Sequence, residues 1–185
     1  MKERIFIKDL KEHMGGIVTI AGWVDVRRDQ GKMIFLDFRD MTGRVQGLIL
    51  PNYTETLEVG KTLRQEFVVK VTGKINERPE KNKKVGVLNG ELELEIQTIE
   101  VLAEAATLPF DMSLSGYNLE LTTELDNRAL VLRQPKVQAV FKVSETIIDS
   151  FREYMKKNMF FEFQAPSMVP ATAEGGAEVF QLDYF

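Results

Sequence analysis

The chain has 185 residues, 44% hydrophobic and 28% charged, with a formal net charge of −4. This describes an ordinary soluble globular chain of one or two domains and excludes a globally basic nucleic-acid binder. Without cysteine there are no disulfides or thiolate metal sites, and one histidine, His13, leaves little for imidazole ligation or catalysis. Residues 1–104 hold 17 basic and 17 acidic side chains and residues 105–185 hold 7 and 11, so any nucleic-acid contact must come from a local patch. No apolar run has signal-peptide length or approaches the ~20 residues of a membrane span, which points to the cytoplasm and away from a membrane.

In chain order, Ile7 to Met14 reads as a short helix stopped by Gly15-Gly16. A long first strand follows, with Val18, Ile20, Val24 and Val26 in phase, and Gly22 in that register marks a bend of the kind that curls a sheet into a barrel. Gln30-Gly31 turns the chain into strand two, Met33 to Met41, where Ile34, Leu36 and Phe38 share one face and Phe35, Asp37 and Arg39 the other. Phe35 is thus an aromatic on a charged face, either packed beneath its own chain or open to a flat ligand. Arg27, Arg28 and Lys32 beside it supply the cations that phosphates require while bases stack.

Thr42-Gly43 leads into strand three, Arg44 to Leu50, whose alternation leaves the direction of Gln46 open. A short helix over Thr54 to Glu66 precedes strand four, Phe67 to Ile75, and strand five, Glu91 to Leu102, shifts its apolar phase at a bulge near Thr98. Between the last two strands ERPEKNKKVGVLN, residues 77–89, reads as a solvated loop or a nucleic-acid contact. Five strands with one helix between the third and fourth is the order of an OB-fold barrel, in which strands two and three face an oligonucleotide.

Residues 105–126 carry Pro, Gly and Ser without a clean period and read as a linker. Pro135 then opens a helix in which Val137, Phe141, Ile147 or Ile148, Phe151 and Tyr154 or Met155 recur at three- and four-residue steps up to Asn158. MFFEFQAPSMVP after it reads as a strand broken by Pro166 and Pro170. One helix and one strand cannot enclose a core, so this part packs on the barrel, pairs with another subunit or continues further.

AGWVDVRRDQGKMIFLDFRD at 21–40, followed by GRVQ at 43–46, resembles the anticodon-binding OB domain of the aspartyl-tRNA synthetase family. LDNRALVLRQPKVQAVFKV at 125–143 and KKNMFFEFQAPSMVPATAEGGAE at 156–178 are similar to the start of that family's class II catalytic domain, in its archaeal-like form. The resemblance implies a mainly β fold: an OB barrel over 1–104, a linker over 105–126, and over 127–185 the first helix and strand, motif 1, of an incomplete α+β catalytic domain.

It also implies an aspartate–tRNA ligase, joining aspartate to ATP with Mg²⁺ as an aspartyl-adenylate and passing it to tRNA(Asp), or also to tRNA(Asn). Phe35 matches the residue that stacks on the central anticodon uracil, Gln46 the reader of the third base, and Arg28 and Glu93 further anticodon-loop contacts. Glu174, in EGGAE, matches the carboxylate that holds the aspartate ammonium, and motif 1 through Pro166 matches the homodimer interface. Met159 stands where the family usually has glycine, which assigns the left-handed turn to Asn158, and Ala129, Val131 and Gln134 replace the usual aromatic, aspartate and arginine. Motifs 2 and 3, which hold ATP in the family, do not occur within these 185 residues, so no catalytic or metal-binding residue is expected in them and the chain alone is expected to be inactive. A stand-alone RNA-binding module and an asparaginyl- or lysyl-type synthetase are the alternative readings.

Overall fold

The computed structural model describes residues 4–112, 118–164 and 166. The chain divides into two compact units, Met1–Thr123 and Glu124–Phe185. In the first, a 3-10 helix (Ile7–His13) precedes strands β1 (Ile17–Asp29), β2 (Ile34–Arg39) and β3 (Arg44–Ile49), helix α1 (Thr54–Thr62), and strands β4 (Val68–Glu77) and β5 (Leu92–Ala103). The strands close into a barrel in the order β1-β2-β3-β5-β4. All neighbours are antiparallel except β3 and β5, whose parallel seam rests on Gly47 opposite Leu94 and Leu48 opposite Glu95.

Alternation decides what enters the barrel. Ile34, Leu36 and Phe38 from β2, Val69, Val71 and Ile75 from β4, and Leu92, Leu94 and Ile96 from β5 are all buried. At Gly22 a Cβ would stand 2.2 Å from the Arg39 carbonyl oxygen, so β1 crosses β2 at a point that admits no side chain. The ladder slips where Thr72 pairs with Thr98 but Gly73 pairs with Ile96, placing a bulge at Gln97 beside the expected Thr98. The Thr56 hydroxyl donates to the freed Gln97 carbonyl at 2.6 Å, tying α1 to the bulge.

A second bulge overturns part of the expected pattern. The register between β1 and β2 shifts between Val24 and Val26, and with it Asp25 is buried while Val26 is only half-buried. Arg39, expected on a solvated face, is 8% exposed because it meets that carboxylate. Its Nε lies 3.4 Å from Asp25 Oδ1, its Nη2 donates to Glu66, and the guanidinium stands 5.4 Å from the centre of the Trp23 ring. Arg44 completes the network at 2.6 Å from Asp25 Oδ2. Burial pushes the Asp25 carboxyl above its ordinary value, and Arg44 and Arg39 work against that shift.

Beyond the barrel, the final residues of the stretch read as linker form α2 (Leu121–Asp126), because LTTELD supplies a helical turn before Asn127. Helices α3 (Arg128–Val131) and α4 (Pro135–Lys157) follow. Proline opens α4 where a missing N–H costs nothing, and Lys156 and Lys157 complement the negative end of the helix dipole. The left-handed turn falls on Met159 (φ 67°), not on Asn158 (φ −95°), whose side-chain amide donates to the Tyr154 carbonyl at 2.8 Å. Residues 160–164 and 166 have no regular structure, so the strand expected there is not found among the described residues. Of the residues that depart from the family pattern, Val131 and Gln134 are buried and Ala129 is exposed.

Candidate nucleic-acid interface

The outer face of β1, β2 and β3 is built by cross-strand pairing. Arg28 lies opposite Phe35, Phe35 opposite Leu48, and Asp37 opposite Gln46. Val45, Gly47 and Ile49 take the inward positions of β3, so Gln46 points outward, which settles the direction that its parity left open. The Arg28 guanidinium forks onto Asp37, with Nη1 donating to Oδ2 at 2.9 Å and Nη2 to Oδ1 at 3.2 Å. This fixes a cation beside the half-exposed Phe35 ring.

Arg28, Phe35, Gln46 and Glu93 line one open cavity of about 290 Å³ together with Arg78, Asn82 and Lys84. Four residues named from sequence therefore meet at one place. An adjoining depression of about 370 Å³ shares Gln46, Arg78 and Lys84 and runs along Asp37, Arg44 and Leu88. Together they offer a ring face, an amide able to donate and accept, and cations within one patch, as single-stranded RNA recognition requires.

Glu93 is half-buried, unlike the solvated charge that the row of acids on β5 suggests. Its neighbours have structural partners: Glu91 pairs with Lys11 at 3.0 Å, and Glu95 accepts from the Asn76 amide at 2.9 Å and the Tyr53 hydroxyl at 3.2 Å. Burial raises the Glu93 carboxyl above its ordinary value, Arg78 opposes the shift and Glu95 adds to it. A carboxylate is an acceptor, with the capacity to take hydrogen bonds from amino and imino groups.

Arg78 was missed in the sequence. It opens the stretch that reads as a solvated loop or a nucleic-acid contact, yet it is buried, its Nε donates to the Leu92 carbonyl at 2.7 Å, and its backbone N–H donates to the Glu91 carbonyl at 2.8 Å. Burial lowers its guanidinium below the ordinary value, while Glu93 and Asp37 pull it back. The available signal was Pro79, which holds the preceding residue extended at the end of β4. The three loop lysines differ as well. Lys83 lies 2.6 Å from both Glu77 and Glu80, whereas Lys84 lines the cavity and its amide donates to Gly90 at 3.0 Å. The loop is pinned at its far end by Asn89 (φ 57°), whose amide donates to the Ile7 carbonyl at 2.8 Å.

Pro166 is exposed, and Glu174 lies outside the described residues. Among the described residues no group of three or more His, Cys, Asp or Glu could hold a metal ion, and no helix is long and apolar enough to cross a membrane.

Comparison with known proteins agrees with this geometry. Residues 18–102 match the family model of the OB-fold nucleic acid binding domain of tRNA anticodon type, and residues 120–185 match that of class II tRNA synthetases (D, K and N). The aspartate–tRNA(Asp/Asn) ligase of Archaeoglobus fulgidus is 37% identical over 98% of this chain. The chain belongs to the class II aspartyl-tRNA synthetase family. A second member, the aspartate–tRNA(Asp/Asn) ligase of Prochlorococcus marinus, is 36% identical over 96% of the chain. The chain spans only 41% and 30% of the lengths of these two synthetases. Among solved structures, asparaginyl-tRNA synthetase from Pyrococcus horikoshii, complexed with asparaginyl-adenylate, superposes over all of this chain and 41% of its own with a TM-score of 0.82 at 33% identity.

Proposed function

We propose that the whole protein is an aspartate–tRNA ligase of the cytoplasm and that the barrel described here reads the anticodon of its tRNA. The observation that carries this reading is the meeting of Arg28, Phe35, Gln46 and Glu93 in one cavity on the face of β2 and β3. Phe35 stacks on the central base, Gln46 bonds the edge of the third, and Arg28 and Glu93 hold the neighbouring backbone and base edges. The domain limits 1–104, 105–126 and 127–185 belong to the same proposal.

In the second unit, α4 presents Phe141, Ile147, Ile148 and Phe151 uncovered, and an apolar surface of this kind is commonly buried against a second copy across a two-fold axis. We assign it, with Pro166, to a homodimer interface. Glu174 takes the ammonium of aspartate. For the whole protein, ATP and Mg²⁺ supply the adenylate chemistry. Among the described residues no cluster of His, Cys, Asp or Glu is suited to hold the metal.

The test is binding of the 185-residue chain to an anticodon stem-loop of sequence GUC at fixed salt, beside a copy with the central U replaced and a Phe35→Ala protein. Loss of one base stack costs about 1–3 kcal/mol, roughly five- to 150-fold in affinity. Weakening of that size in both arms supports anticodon reading, and no effect in either refutes it. A second reading, asparaginyl specificity, has support from the Pyrococcus horikoshii match. A stem-loop ending in U instead of C at the third anticodon position separates the two, since Gln46 faces that base in the proposal.

A further inference from the structure

Asp37 matches no binding role in the reading above, yet it sits among the groups that carry one. It is two residues from Phe35 on the same face of β2, lies opposite Gln46 in the ladder, and takes both arms of the Arg28 fork. It also borders the adjoining depression with Arg78 and Lys84, and its charge acts on Arg78. The pair is partly open to solvent, with Arg28 44% and Asp37 21% exposed. Water therefore screens it, and such a pair adds little to stability. Its effect is on what the surface presents. Arg28, Arg44, Arg78 and Lys84 face Asp25, Asp37 and Glu93, which leaves one net positive charge on a face with four cations.

We propose that Asp37 is a positioning and selectivity residue, which holds Arg28 beside the Phe35 ring and masks its charge so that a stacked base, not a stray phosphate, decides binding. The inference rests on RNA reading by this face. RNA binding through phosphates alone is independent of sequence and follows salt, each neutralised phosphate of a single strand contributing about 0.7 to the slope of log K against log salt. With its fork already occupied, Arg28 gains little from a phosphate in an arbitrary register. RNA that stacks on Phe35 meets the guanidinium already aligned.

The experiment compares the 185-residue wild-type chain with Asp37→Asn and Asp37→Glu. Affinity for the GUC stem-loop and for its central-base variant is measured by anisotropy from 50 to 200 mM salt. For Asp37→Asn, which keeps the shape and removes the charge, the salt slope steepens by about 0.7, so the affinity ratio between 50 and 200 mM grows about 2.6-fold. The base-replaced RNA gains more than the matched one, so discrimination falls. Asp37→Glu restores the wild-type slope. An unchanged slope and unchanged discrimination in Asp37→Asn overturn the role of Asp37 while leaving anticodon reading intact. Equal loss of both RNAs with a lowered melting temperature overturns it in favour of a structural role. A wild-type chain that does not distinguish the two RNAs removes the reading beneath it as well.

Discussion

The barrel and helix α4 both carry regular apolar patterns, but only the barrel buries its own. Alternate residues of β2, of β4 as far as Ile75 and of β5 as far as Ile96 end in a sealed interior, whereas α4 has no buried residue along its 23 positions. A sheet that closes on itself removes its edges and supplies both sides of its core. A single amphipathic helix supplies one side and needs another. The barrel is therefore expected to hold its fold by itself, and α4 to report on its partner.

The largest effects should separate the two. Phe38→Ala, in the fully buried layer, should cost about 3–5 kcal/mol in urea unfolding followed through the barrel's own Trp23. A loss below about 1 kcal/mol would mean that the barrel core is looser than its burial indicates. Glu66→Ala comes next, at about 3 kcal/mol, because it strips one of the two carboxylates from a buried arginine. Ile147→Asp on α4 should leave the barrel transition within about 0.5 kcal/mol of wild type while abolishing any concentration-dependent association seen by sedimentation. A large shift of the barrel transition would show that the two units do not behave separately.

The smallest effect is on pH. The Glu93 carboxyl is raised in the folded chain, so its stabilising contribution is complete below the ordinary glutamate value of 4.5 and is lost as pH rises through the folded value. Glu93→Gln should flatten the part of the melting-temperature profile that lies just above 4.5 on the acid side of neutrality. A profile that keeps its slope would place the pH dependence elsewhere, with Asp25 as the other raised carboxyl to examine.

Alternation and turn chemistry were enough to anticipate five strands, the helix between the third and fourth, and the limits of α4. They failed at Asp25 and Arg39 because a bulge changes which residues are buried, and an inserted residue leaves no mark in the hydrophobic pattern when a charged partner awaits it. Phe35 was legible because an aromatic on a charged face breaks the rule of its strand. Glu93 was not, since nothing local separates it from Glu91 and Glu95; only the structure shows that those two are engaged elsewhere. Arg78 was hidden by the composition of its loop, and its burial comes from Leu92 and Glu91, which are distant in sequence.

The parallel seam between β3 and β5 has a kinetic consequence. The meander from β1 to β3 needs only short turns, so it can form early, whereas the seam joins Gly47 to Leu94 across a long segment that includes α1 and β4 and is expected to close late. Phe35 and Gln46 belong to the early part and Glu93 to the late part. The cavity therefore comes into being only when the last strand locks. In a refolding experiment, RNA capture should lag behind the first hairpin signals and coincide with amide protection at Leu48 and Glu95, making ligand binding a clock for barrel closure.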